Sequence, residues 1–178
     1  MLFLTVAAKT AQHAEIEVLV ALRVPDRVAL TARRALTERL GYEGILTDLT
    51  RENYYRLAVT GTEAEANAYV EDMIKNTAVF ANPHKEISTV APLRRPLRSD
   101  DRHTALVYPR RGFYDEAFLK QLVWGLKYER VIAAARGIAW TLTLAPGVDE
   151  SHVERILVTR SRAQGLLLNP HAEQYELA

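Results

Sequence analysis

The feature that most constrains the fold of this chain is a short motif that occurs twice. Residues 79–86 read Val-Phe-Ala-Asn-Pro-His-Lys-Glu and residues 166–173 read Leu-Leu-Leu-Asn-Pro-His-Ala-Glu, an offset of 87 positions. The segments Leu-Gly-Tyr-Glu at 40–43 and Leu-Lys-Tyr-Glu at 126–129 match at an offset of 86. Because the matches are collinear, the sequence predicts a tandem duplication of a unit about half as long as the chain.

The boundary between the two copies is marked by a change in composition. Residues 91–102 are rich in proline and arginine and lack periodicity, which is typical of a surface linker. We therefore predict a first unit at 1–90, a linker at 91–102 and a second unit at 103–178. Three linker arginines are interpreted as part of a solvated connector, with an anion-binding patch as the alternative. They are Arg94, Arg95 and Arg98.

Composition excludes several classes of protein. Of the 178 residues, 48% are hydrophobic and 25% are charged, so the chain can bury a core and is not expected to be disordered. The formal net charge of +1 gives no general attraction for nucleic acid. The absence of cysteine excludes disulfides, zinc–thiolate sites and thiol nucleophiles. The apolar run near the start is too short to span a membrane, so we expect a cytoplasmic protein without a membrane partner.

Hydrophobic periodicity predicts the same order of elements in both copies. In the first copy, Asp26 is expected to cap the first helix, Gly41 to end it, and the Thr62-x-x-Glu65 spacing to open the second. The predicted elements there are a strand at 15–22, a helix at 28–40, strands at 44–49 and 54–59, a helix after Thr62 and a strand at 86–90. In the second copy they are a strand at 104–108, a helix at 118–126, strands at 130–134 and 138–144, a helix capped by Asp149 and a strand near Tyr175.

These elements predict an α+β fold of two tandem ferredoxin-like βαββαβ units. Each unit would form an antiparallel sheet with both helices on one face, which leaves the other sheet face open. A unit of this size buries only a small core. We therefore expect the two copies to form a pseudo-dimer in which the open faces pack against each other or against another protein.

The motifs that usually carry catalysis are missing from this sequence. There is no glycine-rich phosphate loop, nucleophile elbow or metalloprotease motif, and no carboxylate pair suggests general acid–base chemistry. None of the five histidines has a close ligand spacing to another; they are His13, His84, His103, His152 and His171. We predict no catalytic residue, metal or cofactor, and whether the chain belongs to an enzyme as a subunit is left open at this point.

The repeated Asn-Pro-His segments are the best candidates for a functional surface. The asparagines are predicted to bond the local backbone as turn residues. The two histidines either satisfy backbone groups at these turns or contact a partner. The candidate partner-binding residues are Asn82, Pro83, His84, Asn169, Pro170 and His171.

Three aromatic residues on the predicted central strands allow two interpretations. Tyr54, Tyr55 and Trp140 could stack bases if they lie on an open sheet face, as in four-stranded RNA-binding sheets. They could instead fill the interface between the two copies, and nucleic acid is the less expected partner.

Each copy resembles PurS, the small subunit of phosphoribosylformylglycinamidine synthase. The family pattern is a strand, a proline/aspartate break, a helix that ends in Leu-Gly-Tyr or similar, two strands, and a second helix that leads to a Leu-Leu-Ala-Asn-Pro-x-x-Glu-like segment. The matching segments are 40–42, 79–86 and 166–173, and the resemblance covers 15–90 and 103–178. The break before the first helix is matched by Pro25-Asp26 and has no counterpart in the second copy, and PurS-like chains usually carry one copy.

The resemblance implies a non-catalytic role in purine biosynthesis. In the family, PurS-like dimers bridge the synthetase and glutaminase subunits of an ATP-dependent ligase and help ammonia pass between them, and self-association is possible. Two alternatives from other classes remain open. One is a tandem regulatory module that binds a small molecule, and the other is an RNA-associated structural protein.

Overall fold

The protein, described here as a computed structural model for residues 12–92, 101–110 and 114–178, has an α+β fold built on one antiparallel sheet. The sheet has six strands in the order β3-β1-β2-β5-β4-β6. The strands are β1 His13–Leu22, β2 Leu46–Thr60, β3 Glu86–Pro92, β4 Arg102–Pro109, β5 Val131–Leu144 and β6 Glu173–Leu177. The predicted α+β class with an antiparallel sheet is therefore confirmed.

The helices of the described residues follow the predicted positions. They are α1 Arg27–Arg34, α2 Glu63–Asn76, α3 Glu116–Lys120 and α4 Ser151–Leu157. Both α1 and α3 continue as π-helical turns, at Ala35–Arg39 and Gln121–Gly125. The predicted caps are present, since Asp26 accepts from the backbone of α1 and Thr62 and Glu65 form a capping box on α2.

The two longest strands replace four predicted ones. The strands expected at 44–49 and 54–59 form the single strand β2, and those expected at 130–134 and 138–144 form β5. The polar residues between the first two predicted strands, Arg51-Glu52-Asn53, are extended and form no turn, because they pair with Trp140, Ala139 and Ile138 across the centre of the sheet. Each half therefore contributes three strands, because the two middle strands predicted for each unit join into one.

The halves are joined edge to edge through the pairing of β2 with β5. This pairing runs from Leu46 opposite Leu144 to Val59 opposite Val131. The expectation that the halves pack their open sheet faces together is therefore wrong, because both halves belong to one continuous sheet.

All four helices cover the same face of the sheet, and they do so in mixed pairs. In one core cluster, Ala29 and Leu36 from the first half pack with Val153 and Ile156 of α4. In the other cluster, residues of α2 pack with residues of α3 and the turn that continues it; they are Ala66, Val70, Met73, Phe118 and Leu122. Because each cluster takes a helix from either half, each half completes the apolar core of the other.

The opposite face of the sheet is also buried at its centre. Leu19, Tyr54, Leu106 and Ala139 lie on this face and form a third cluster, against which Ala178 packs. Tyr54 is 0% exposed. The central part of the face that the sequence predicted to be open is thus not exposed to solvent.

Most of the predicted linker lies outside the described residues. These undescribed positions include Arg94, Arg95 and Arg98, so the connector and the anion patch stay predictions. At its ends, Ala91 and Pro92 continue β3 and Arg102 begins β4.

Gly137 on β5 lies close against the backbone of β4. A Cβ atom at this position would lie 2.6 Å from the carbonyl oxygen of Val107, whereas a Cβ at Gly125 would meet nothing within 4 Å. We expect Gly137→Ala to lower the free energy of unfolding by about 1–3 kcal/mol, because the strand backbones must move apart. Gly125→Ala should leave it unchanged or raise it by up to about 1 kcal/mol, since alanine favours the helical conformation.

The measurement is urea unfolding of the wild type and both variants at one pH. Equal stability of the two variants would contradict the packing described for β4 and β5.

Candidate functional site

The first Asn-Pro-His segment forms a closed turn just before β3. The side-chain Oδ1 of Asn82 accepts from the backbone N–H of His84 at 3.0 Å, and the N–H of Asn82 donates to the Glu86 carboxylate at 2.6 Å. The carbonyl oxygen of Asn82 accepts from Lys85 at 2.9 Å and from Glu86 at 2.8 Å. Asn82 and Glu86 therefore lock the turn from both ends, which confirms that this asparagine bonds the local backbone.

The second segment forms the same turn just before β6. Oδ1 of Asn169 accepts from the N–H of His171 at 3.0 Å, and the N–H of Asn169 donates to the Glu173 carboxylate at 2.9 Å. The carbonyl of Asn169 accepts from Ala172 at 3.1 Å and from Glu173 at 2.8 Å. Every one of these bonds has its counterpart 87 positions earlier, so the repeat extends from residue identity to hydrogen bonding.

The fold places the two turns at opposite corners of the sheet. β3 and β6 are its two outer strands, so five strand spacings, about 24 Å, separate them across the sheet. The strands that follow the turns start at opposite ends, because Glu86 pairs with Leu22 and Glu173 pairs with Pro109. His84 and His171 are both exposed. The structure does not bring the six candidate residues into one site; it separates them into two matching surfaces.

An aspartate–arginine pair fixes the start of the first helix in each half. Asp26 accepts from the N–H of Val28 at 2.7 Å and from Nε of Arg51 on β2 at 2.8 Å. Asp115 accepts from the N–H of Phe118 at 2.9 Å and from Nε of Arg136 on β5 at 2.7 Å. Partial burial of Asp115 opposes its charge, but the bonds from Phe118 and Arg136 hold the pKa of this carboxyl below its usual value.

Sequence analysis missed Asp115. We found no counterpart of Pro25-Asp26 in the second copy, yet Asp115 has the role of Asp26. The signal was an aspartate three residues before Phe118, the first apolar residue of the helix. Asp149 was predicted as a cap and does accept from the N–H of Ser151 at 2.8 Å, although α4 begins one residue later than this role implies.

A chain of polar side chains crosses the sheet face opposite the helices. The Tyr54 hydroxyl donates to Oε1 of Glu17 at 2.6 Å and accepts from Nε of Arg56 at 3.0 Å. Nη2 of Arg56 donates to Oε1 of Glu176 at 2.7 Å. These hydrogen bonds therefore link β1 and β2 of the first half to β6 of the second.

The electrostatics of these hydrogen-bonded side chains favour fixed hydrogen bonds over proton transfer. Burial, together with the bond to Glu17 and its negative charge, raises the pKa of Tyr54 far above its usual value, so the phenol stays protonated and donates. Burial disfavours the charge on Arg56, but Tyr54 and Glu176 raise the pKa of the guanidinium overall. Neither group changes its protonation state near neutral pH.

The three aromatic residues considered for base stacking are not available for it. Tyr55 lies on the helix side, with its ring centroid 5.1 Å from that of Phe80 and 5.6 Å from that of Phe118 in the second half. Trp140 belongs to the cluster shared by α1 and α4, and Tyr54 is fully buried. Tyr55 and Trp140 fill the core between the halves, as the second interpretation predicted.

The six candidate residues lie on two turns at opposite corners of the sheet. Within residues 12–92, 101–110 and 114–178, no group of three or more His, Asp or Glu side chains could hold a metal ion. In the same part of the chain, no helix has the length and apolar character needed to cross a membrane.

Adjacent tyrosines on β2 allow a matched test of the hydrogen bonds that link Glu17 to Glu176 through Tyr54 and Arg56. We expect Tyr54→Phe to lower the free energy of unfolding by about 1–3 kcal/mol, because it removes a donor from the buried Glu17 carboxylate. Tyr55→Phe loses only a 3.3 Å bond to the carbonyl of Phe80, and we expect a cost of about 0.5 kcal/mol. Chemical unfolding of both variants checks this, and a larger loss for Tyr55→Phe would refute the assignment.

Comparison of the chain with protein-family models, with curated proteins and with solved structures gives no match. The functional assignment therefore depends on the residues and geometry described above.

Proposed function

We propose that this chain is a non-catalytic bridging subunit of a glutamine-dependent phosphoribosylformylglycinamidine synthase complex. In this proposal the chain consists of two tandem PurS-like units of the ferredoxin-like type and acts as a covalent pseudo-dimer. It links the synthetase to the glutaminase and assists the passage of ammonia between them. The chemistry belongs to the larger subunits, and this chain supplies no catalytic residue.

The observation that carries the proposal is the placement of the two Asn-Pro-His turns. Both turns are exposed, have matching backbone hydrogen bonds and occupy opposite corners of one sheet. A bridging subunit needs two contact surfaces that point toward different neighbours. A single binding or catalytic site would instead require the matching residues to converge.

Recurrent contacts outside the turns support the tandem units. The N–H of Tyr42 donates to the carbonyl of Leu36 at 3.2 Å, and that of Tyr128 donates to the carbonyl of Leu122 at 3.0 Å, an offset of 86. These bonds close the π-helical turns that follow α1 and α3. π-Helical turns are uncommon, so the recurrence of such a turn and of its closing bond at equivalent positions favours a shared origin for the halves.

Reconstitution with the synthetase and glutaminase subunits of the same organism tests the proposal. We expect the three chains to co-elute in the presence of glutamine and nucleotide. We expect the double variant His84→Ala/His171→Ala to reduce glutamine-dependent amidation at least tenfold. Amidation with added ammonium salt should stay unchanged, because free ammonia does not require a bridge.

The matched control for this test is Glu43→Ala, an exposed substitution away from both turns. It should assemble and support glutamine-dependent amidation like the wild type. Failure of the wild-type chain to co-elute with either subunit would overturn the proposal. Full glutamine-dependent activity of the double variant would show that the two turns are not the contact surfaces.

A further inference from the structure

The outer strand β3 has backbone groups that point away from the sheet. The N–H of Arg23 donates to the carbonyl of Lys85 at 2.8 Å, which places Lys85 in a hydrogen-bonded position opposite β1. In an antiparallel pair such positions alternate, so Ile87 and Thr89 also bond toward β1. The N–H and C=O groups of Ser88 and Val90 therefore face outward, where a further strand could pair with them.

A groove lies beside this edge, between β3 and the end of α2. Its volume is about 630 Å³. The apolar part of its lining consists of Ile74, Ala78, Ala81, Pro83 and Ile87. Ile87 is 49% exposed although it sits on a strand of the sheet. An apolar lining next to backbone groups that no strand of the described residues pairs with is the arrangement used in strand addition, where pockets select the alternate side chains.

The charged side chains of the groove favour an acidic occupant. Arg23 and Lys75 line it; Nε of Arg23 donates to the carbonyl of Pro83 at 3.3 Å, and Nζ of Lys75 lies 3.8 Å from a carboxylate oxygen of Glu71. The third charged group is Glu86, whose carboxylate is bonded to the N–H of Asn82. The two cations are thus the groups able to meet a carboxylate that enters from outside.

The opposite edge differs in chemistry. At the offset of 87, Ile87 corresponds to Gln174 and Ser88 to Tyr175 on β6. β6 also carries Glu173 and Glu176 in its five residues, so an acidic segment would be repelled there.

We infer that the β3 edge and its groove bind an extended segment of a partner protein in which every second side chain, on the face turned toward the groove, is apolar or acidic. The segment adds to the sheet beside β3, with its apolar side chains in the groove and a carboxylate near Lys75 and Arg23. The inference deepens the proposed function, on which it rests for the existence of a partner. Its test uses no amidotransferase subunit, so either proposal can fail alone.

The probe is the acetylated and amidated peptide Val-Thr-Glu-Thr-Val-Thr, whose valines and glutamate share one face of a strand, added to the full chain labelled with ¹⁵N. We expect amide exchange at Ser88 and Val90 to slow at least tenfold at saturating peptide, with no change at Tyr175 and Leu177 on β6. The charge-reversed peptide Val-Thr-Lys-Thr-Val-Thr should bind at least tenfold more weakly. No protection at millimolar peptide, equal protection of both edges, or equal binding of both peptides would overturn the inference.

Protection of Ser88 and Val90 that rises with protein concentration alone would show that a second copy of the chain occupies the edge, and it would likewise overturn the inference. Sedimentation of the labelled chain at the concentrations used for exchange distinguishes this outcome.

Two variants test the contributions of the β3 backbone and of the positive charge in the groove separately. Ser88→Pro removes an outward N–H that β1 does not use, and we expect peptide affinity to fall at least tenfold. Lys75→Glu leaves the backbone unchanged and should have a similar effect, so the test stands even if the proline variant unfolds. Leu177→Pro is the matched control on the β6 edge and should bind the peptide like the wild type. Unchanged affinity in Lys75→Glu and in folded Ser88→Pro would contradict the inference.

Discussion

The structure depends above all on the antiparallel pairing of β2 with β5. These are the longest strands, with 15 and 14 residues, and they lie at the centre of the sheet. Their pairing fixes the position of the first half relative to the second. It also places the helices of both halves over the same face of the sheet. Without it, α1 would lose the cluster that it shares with α4, and α2 would lose the packing against Phe118 and Leu122. One backbone ladder therefore holds together two cores that each draw on both halves.

This frame explains why the two Asn-Pro-His turns are equivalent and yet far apart. An antiparallel central pair relates the halves by an approximate twofold rotation, which carries one outer corner onto the opposite one. Each turn is then fixed locally by an asparagine and a glutamate, and the first helix of each half is fixed by an aspartate bonded to an arginine of the long strand. The geometry places the two copies of the repeated motif at separate exposed corners, as the proposed bridging role requires.

Local signals in the sequence predicted local structure well. The caps at Asp26 and Thr62, the asparagine turns and the helix ending before Gly41 follow from hydrogen bonds between residues close in sequence. The candidate turns were found by the same reasoning, because a repeated motif needs no tertiary information. Their separation to opposite corners was not predicted, since it depends on strand order.

The failures of prediction arise from contacts between distant residues. Arg51, Glu52 and Asn53 are polar enough to suggest a turn, but pairing with β5 makes them the middle of a strand. Tyr54 was interpreted as exposed or interfacial, whereas its hydroxyl joins a chain from Glu17 to Glu176 that links residues over 150 positions apart. Asp115 was missed because the sequence pattern around it differs from that around Asp26, although the two carboxylates perform the same task.

The claim that the halves form one cooperative body through β2 and β5 is tested most directly by native-state hydrogen exchange. Amides that bond β2 to β5, such as those of Tyr54 and Arg56, should exchange only by global unfolding. Those in the core of β1 and β4 should show the same opening free energy, because neither half is expected to survive alone. Two distinct opening free energies, one for each half, would contradict the account.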